Sequence, residues 1–311
     1  LLNGVNLTST AAAPKEGGMG TSGKNVVTRS DGSAIKYQVF NANMTTTGYS
    51  TVTLNGDAAA TTAADSDPNI SAINADGSAV ITWTGVDSNG DSSIFVQKLT
   101  STGLTTGYPI IKLEATGVTD KADTMAKVTA VGNSGAYVVS WSGVDEGGDA
   151  SIYVQKFNVD GSLSGAASKL ESLTSTTGID KDVQVVSTGT DGSYVVAWVG
   201  DGIGGNRVFV QRFNADGSAK GAITSLDRGY GQTQVQLIGY GDGSYAVGWL
   251  EGEQKTRTNP SGPSGNNITT IANQVYVRKY AADGVALWTE SYQDPRTVGN
   301  NPSNPSSINY P

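Results

Sequence analysis

The chain has 311 residues and a formal net charge of −8, and 37% of its residues are apolar while only 15% are charged. An acidic surface is unsuited to the phosphates of nucleic acid and to anionic membranes, and no apolar run of ~18 residues predicts a membrane span. The absence of Cys and His excludes disulfides, thiolate or imidazole metal sites and histidine-based catalytic triads.

The N-terminal part of the chain is the least regular. Residues 1–33 are predicted to be a divergent N-terminal arm followed by the start of a first repeat unit, and residues 34–64 complete that unit. The string Ile35–Phe40 (IKYQVF) indicates the unit, because a similar string, IFVQKL, recurs at 94–99. A repeated unit is the signature of a solenoid, a propeller or a linear array.

Four further units follow, and each carries two signatures in register. The first is a run of apolar residues that ends at a tryptophan, and the second is an apolar strand with Gln or Arg before a turn, which reads Asp-Gly in the last three units. These residues are Trp83, Trp141, Trp198 and Trp249, then Gln97, Gln155, Gln211 and Arg278. The units are predicted at 65–119, 120–179, 180–230 and 231–290, the last with an inserted loop at 251–274, before an extended C-terminal tail at 291–311. We expect the tryptophans in the core and the glutamines bonded to backbone between neighbouring units.

Each unit has the pattern of four short antiparallel strands. In the third unit they are predicted at about 126–131, 136–142, 151–157 and 167–171. Asp-Gly and Ser-Gly turns are typical of hairpins, because glycine supplies a positive φ at little cost. Four such strands make one blade of a β-propeller. The predicted fold is therefore all-β, a five-bladed β-propeller, and a linear stack of β-modules is the alternative.

The units also resemble a known family. The string from Asp191 to Trp198 (DGSYVVAW), continued by Val208 to Gly217 (VFVQRFNADG), is similar to a β-repeat of large bacterial surface proteins exported by type I secretion, among them adhesins and matrix proteins. The resemblance covers about residues 68–290 and implies an extracellular location and a role in adhesion, matrix or surface coating. No Gly-Gly-x-Gly-x-Asp calcium array is present in this sequence, so that module is not carried over.

The loops between the second and third strands combine carboxylates, amides and glycines. The candidate calcium ligands are Asp87, Asn89 and Asp91 in the second unit, Asp145 and Asp149 in the third, and Asp201 in the fourth. This pattern matches the first half of a calcium loop, although the distal Glu is absent and ordinary hairpin turns use the same residues. No cofactor is required on this interpretation, and calcium is the one metal that the loops suit.

Two other groups of residues are candidates for contacts. Acidic residues open the first strands at 65–67, 120–123 and 180–182, where we expect solvated turns or ion pairs with a neighbouring unit. In the inserted loop, the candidates for ligand or partner contact are Pro260, Pro263, Asn266 and Asn267.

These features favour a structural protein without enzymatic activity at the cell surface or outside the cell. It would be a subunit of a surface layer, sheath, filament or adhesin that acts by self-assembly, with copies of itself and cell-surface or matrix glycans as partners. The first alternative is a carbohydrate-binding propeller, which predicts exposed rings at Tyr137, Tyr194 and Tyr245. The second is a glycosidase, which needs Asp or Glu residues that are unique to particular units and point into a central funnel. Most carboxylates of this chain recur in turns, which counts against the second alternative.

Overall fold

The computed structural model contains five four-stranded antiparallel sheets, one for each predicted unit. It describes residues 14–57, 65–115, 120–171, 178–202, 205–226, 230–258 and 267–293. The strands are β1 (Lys15–Met19), β2 (Lys24–Ser30), β3 (Ile35–Phe40), β4 (Val52–Leu54), β5 (Ser66–Ala72), β6 (Ala79–Val86), β7 (Ser92–Leu99), β8 (Ile111–Leu113), β9 (Asp123–Ala130), β10 (Tyr137–Val144), β11 (Ala150–Phe157), β12 (Ser168–Leu170), β13 (Lys181–Ser187), β14 (Tyr194–Gly202), β15 (Gly205–Phe213), β16 (Thr224–Ser225), β17 (Tyr230–Gly239), β18 (Tyr245–Thr258), β19 (Asn267–Tyr280) and β20 (Ala286–Gln293). Each sheet pairs its four strands in chain order. Across these ranges, no helix is long and apolar enough to cross a membrane.

The first and last units differ from their predicted outlines. The first sheet already begins at Lys15, inside the predicted arm 1–33, and residues 1–13 lie outside the described part of the chain. Most of the predicted loop 251–274 belongs to strands, because the pairing of β18 with β19 continues as far as Thr258 and Asn267. Thr and Ile recur in this segment, and these β-branched residues favour continued pairing. The predicted tail starts inside β20, and residues 294–311 lie outside the described ranges.

The five sheets are arranged around one axis, with their first strands innermost. Consecutive first strands contact one another from β1 to β17, and all five line a single central cavity. A buried apolar cluster fills each of the four junctions between consecutive sheets, from the first sheet to the fifth. The predicted five-bladed β-propeller is confirmed, and the linear stack is not the arrangement found.

A stacked pair of aromatic rings lies in each of those four junctions. The pairs, with the distances between ring centroids, are Trp83 and Phe95 at 5.7 Å, Trp141 and Tyr153 at 5.6 Å, Trp198 and Phe209 at 5.7 Å, and Trp249 and Tyr276 at 5.5 Å. The four tryptophans are buried, as predicted for core residues. Tyr137, Tyr194 and Tyr245 are buried as well, so the exposed rings expected of a lectin with one site per unit are not found at these positions.

A buried carboxylate beneath the tryptophan joins each of two units to the one before it. The Trp141 indole donates to Asp123 Oδ1 over 2.9 Å, and the Ala115 backbone N–H of the preceding unit donates to Asp123 Oδ2 over 3.1 Å. A Cβ on Gly143 would lie 2.1 Å from Asp123 Oδ1, which explains the glycine two residues after the tryptophan. Asp65 accepts in the same way from the Gly56 N–H over 3.2 Å. The expectation of solvated turns or ion pairs is therefore wrong for Asp65 and Asp123, because burial and hydrogen bonding hold them in the core.

The repeated glutamines bond to backbone, but within their own unit. Gln155 Nε2 donates to the carbonyl of Lys156 over 2.7 Å and to that of Gly165 over 3.1 Å. Gln97 and Gln211 make equivalent pairs of bonds. These amides hold the loop that follows the third strand and do not bridge neighbouring units.

Candidate functional site

A β-bulge recurs in the innermost strand of four units and aims one side chain at the axis. The bulge residues are Asp67, Met125, Asp182 and Gln234, with φ values of 49°, 58°, 53° and 54°. The pairing with the second strand shifts register at each of them. A non-glycine residue at positive φ costs about 1–2 kcal/mol, and bulges of this kind are frequent beside active sites. The fold thus maintains a strained position in the same place in four blades.

The bulges line a cavity of ≈ 400 Å³ on the propeller axis, here called the axial cavity. Its polar wall residues are Lys15, Asp67, Asn69, Lys127, Asp182, Gln184, Gln234 and Gln236. Cavities that bind small ligands commonly lie in the range of about 300–1,000 Å³ and orient the ligand through a few convergent polar groups. The axial cavity has this size and this kind of wall.

Two carboxylates and two ammonium groups set the charge of the axial cavity. Burial lowers the pKa of Lys127, and Lys15 lowers it further, while Asp67 and Asp182 act in the opposite direction. Within the described ranges, no hydrogen bond or ion pair holds the carboxylate of Asp67 or Asp182. Both carboxylates are therefore available to a ligand in the cavity.

The predicted calcium loops are held partly by lysine. In the third unit, ligand atoms of Asp145, Asp149 and Glu171 lie within 4.8 Å of one another, an arrangement that can hold a metal ion. Lys169 Nζ lies 2.5 Å from Asp145 Oδ2 and also pairs with Glu171. With its three carboxylates ionised and one ammonium, this loop has an excess of two negative charges, while burial and the neighbouring Asp145 raise the pKa of Asp149.

The other two loops are less suited to a metal ion. In the second unit, Lys112 Nζ lies 2.7 Å from Asp87 Oδ2, and Asn89 donates its backbone N–H to Asp87 Oδ1 over 2.7 Å. Burial, with the neighbouring Asp87, raises the pKa of Asp91 to about 6, so this carboxylate is protonated more readily than usual. Asp201 pairs with Asn206 across the hairpin of the fourth unit, and it belongs to no group of three carboxylates in the described part of the chain.

The candidate contact residues of the last unit fall mostly on segments that the structure does not describe. Pro260, Pro263 and Asn266 lie outside the described ranges. Asn267 is the first residue of β19, and its backbone pairs with Thr258.

Sequence reasoning did not separate the axial residues from the structural ones. Asp65 and Asp67 were treated as one acidic cluster, as were Asp180 and Asp182, although the first of each pair is buried and the second lines the axial cavity. One signal could have separated them. The position of Asp67 and Asp182 is occupied by Met125 in the third unit, so the carboxylate does not repeat, whereas the buried aspartate does.

Comparison with known proteins gives a fold. No family model matches the chain, and no curated protein matches it. A protein of unknown function from Dyadobacter fermentans DSM 18053 has a TM-score of 0.51 at 12% identity, with 90% of this chain and 93% of that one covered. A thermostable family-43 glycoside hydrolase follows with a TM-score of 0.45 at 12% identity, covering 90% and 94%. An exo-1,5-alpha-L-arabinanase from a bovine ruminal metagenomic library has a TM-score of 0.40 at 12% identity, covering 89% and 95%. At this identity the likenesses show the propeller fold alone.

Two predictions from the sequence are wrong on these findings. One is that the chain is a structural subunit that acts by self-assembly, and the other is that it is not an enzyme. Several of the similar structures are named as carbohydrate-active enzymes, although an apocarotenoid oxygenase is among them as well. The physical reason for the error lies at the axis, because Asp67 and Asp182 are carboxylates of particular units that line a central cavity.

Proposed function

We propose that the protein is a carbohydrate-active enzyme that hydrolyses a glycosidic bond in the axial cavity. Asp67 and Asp182 are the two carboxylates that would carry the reaction. One observation carries this proposal: the same bulge position holds a carboxylate in the second and fourth units and an uncharged residue in the third and fifth. Strain is thus retained at a position where the side chain varies from unit to unit.

Glycoside hydrolysis needs two carboxyl groups and no other catalytic side chain. One protonates the leaving oxygen, and the other activates water or attacks the anomeric carbon. The reaction breaks the bond between that carbon and the leaving oxygen, and water supplies the hydroxyl group of the released sugar. This chemistry suits a chain without His or Cys. Amides such as Asn69, Gln184 and Gln236 can hydrogen-bond sugar hydroxyls as donors and acceptors.

The test is hydrolysis of a panel of plant, fungal and bacterial polysaccharides, measured as released reducing ends. We expect Asp67→Asn and Asp182→Asn each to lower the rate by about 10²–10⁴-fold. Asn tolerates a positive φ, so both variants should keep the fold. The control is Asp120→Asn, an exposed acid outside the cavity. Full activity in both cavity variants, or no release from any substrate by the wild-type protein, would contradict the proposal.

Saccharide binding without hydrolysis is the second candidate function for the same cavity, favoured by its amide-rich wall. It predicts that calorimetry detects a bound oligosaccharide while no reducing ends appear. In that case Asp67→Asn should weaken binding, and Asp120→Asn should not.

Calcium is the ion that we propose for the acidic triad Asp145, Asp149 and Glu171, because it prefers carboxylate oxygens. Titration of chelator-treated protein with calcium should raise the Tm by about 2–4 °C at saturating calcium. Asp149→Asn should remove the rise, and Asp120→Asn should preserve it. An unchanged Tm in the wild-type protein would contradict calcium binding.

We propose an extracellular location on the basis of the resemblance to exported surface proteins. A polysaccharide substrate outside the cell would agree with it. Fractionation of the source cells, followed by detection with an antibody, is the direct measurement. Detection only in the cytoplasm would contradict the proposed location.

A further inference from the structure

The fifth sheet carries an apolar pocket of ≈ 340 Å³ on the side that faces away from the fourth sheet. This outer pocket is lined chiefly by Ile238, Ala246, Leu250, Val275 and Val277. Val275, on the inner strand β19, is 36% exposed, and Ile238, on the edge strand β17, is 58% exposed.

The register of the strands shows what this wall is built to contact. Leu250 pairs with Val275 in the fifth sheet as Val199 pairs with Val208 in the fourth. In the fourth sheet, Val199 and Val208 are fully buried in the cluster that contains Trp249 of the next sheet. The outer pocket therefore repeats an apolar wall that elsewhere in this protein covers an aromatic ring.

The first sheet, which comes next around the axis, does not supply that ring. Its Arg29 pairs with Lys36, and in register these residues occupy the positions of Trp83 and Phe95 in the second sheet. Lys36 Nζ lies 2.6 Å from Asp31 Oδ2, so its charge is paired. A guanidinium group can stack on an aromatic ring but cannot replace one in an aliphatic wall.

The outer pocket adjoins the axial cavity. Gln234 and Gln236 line both. A single molecule can therefore place a hydrophilic part on the axis and a flat apolar part against the aliphatic wall.

We propose that the outer pocket binds the aromatic group of an aryl glycoside whose sugar lies in the axial cavity. This inference rests on the proposed function for the sugar, but the aromatic contact stands on the repeated wall alone. It assigns the substrate class as glycosides with an aromatic aglycone. The wall provides dispersion and hydrophobic contact to the ring, as its counterparts do for tryptophan.

The test compares phenyl and methyl glycosides of the same sugars, together with phenol alone as a probe that lacks a sugar. Saturation-transfer NMR reports contact of the aryl protons with the protein, and calorimetry gives the affinities. We expect the phenyl glycoside to bind about 10-fold more tightly than the methyl glycoside. Val275→Asn should remove this difference. Val285→Asn, at a position 59% exposed on the same unit and outside the pocket lining, should preserve it.

The outcomes separate this inference from the proposed function. If phenol gives a signal that Val275→Asn abolishes, but the protein hydrolyses no glycoside, the aromatic site is supported and the proposed hydrolysis is contradicted. Equal affinity for phenyl and methyl glycosides, with no phenol signal, would overturn the aromatic site even if hydrolysis is found. A lower molecular mass for Val275→Asn than for the wild-type protein, measured by light scattering, would also overturn the aromatic site. The wall would then be a contact between copies of the chain.

Discussion

The junction between the fourth and fifth sheets and the junction between the fifth and first sheets are built on the same aliphatic wall and differ in what faces it. In the former, the stacked rings of Trp249 and Tyr276 cover the wall, and Val208 is fully buried. In the latter, Arg29 and Lys36 of the first sheet stand at the register positions that hold a ring pair in the second sheet, and Val275 remains 36% exposed. The replacement of a ring pair by Arg29 and Lys36 thus separates a filled junction from one whose wall stays partly exposed.

The same contrast holds at the axis. The buried Asp123 belongs to the repeat and joins two units, whereas Asp182 stands at a position that the third unit fills with Met125. The repeated residues form the core. The residues that differ between units lie around the axial cavity and at the junction between the fifth and first sheets, here called the fifth junction. Variants of each kind of junction test this difference.

The largest expected effect is the removal of a ring from a filled junction. Trp141→Ala should lower the free energy of unfolding by about 3–5 kcal/mol, because it leaves a cavity and deprives Asp123 of a donor. Leu250→Ala, in the wall of the fifth junction, should cost less than about 1.5 kcal/mol, because Leu250 is already partly exposed. Urea denaturation of both variants measures the two values. Equal losses would show that the two junctions are packed alike.

The filled junctions could be predicted from sequence, and the fifth could not. Trp141 and Gln155 recur in register, and such a period specifies one four-stranded unit with a buried ring. A repeat does not reveal whether its units close into a ring, so the partly exposed wall at Leu250 and Val275 was not accessible from the sequence. The axial carboxylates were hidden for a related reason, since the bulge that turns Asp67 and Asp182 inward depends on register, which their local sequence does not encode.

The second expected effect is a pH dependence that belongs to the filled junctions. Burial raises the pKa of Asp123 to about 8, with Glu114 adding to the effect, and burial raises the pKa of Asp65 to about 6. The folded state therefore holds protons that the unfolded chain releases from about pH 4 upward. This contribution to stability is fully present below pH 4 and is lost as the pH rises through 6 to 8.

The measurement is the Tm as a function of pH, and no histidine titrates in this window. Stability should fall between pH 5 and pH 8, and Asp123→Asn should flatten the curve. Glu251→Gln, at the buried acid beside Trp249 in the fifth sheet, serves as the comparison for a neutral replacement near an indole. If Asp123→Asn shows the same fall of Tm with pH as the wild-type protein, the raised pKa of Asp123 is not the cause of that fall.

The third expected effect follows from placing a ring pair in the fifth junction, so that it resembles the other four. Arg29→Trp combined with Lys36→Phe places a ring pair at the register positions of Trp83 and Phe95. We expect an increase of about 1–2 kcal/mol in the free energy of unfolding, because the rings bury the aliphatic wall. Binding of phenyl compounds should be lost at the same time. A variant that is stabilised and still binds phenol would place the aromatic site elsewhere.

The smallest expected effect concerns the strain at the axis. Met125→Gly should stabilise the protein by about 0.5–1 kcal/mol, because glycine adopts the φ of 58° without the steric cost of a side chain. Asp67→Gly and Asp182→Gly should give the same gain and abolish hydrolysis, since each removes a carboxylate. Thermal unfolding and reducing-end release on the same three variants provide the measurement. If all three glycine variants gain stability but Met125→Gly alone retains activity, the strain at Asp67 and Asp182 lowers stability and is retained because their carboxylates are needed for hydrolysis. Equal loss of activity in all three would instead assign the bulge itself, through the backbone path it imposes on the cavity wall, as the functional feature.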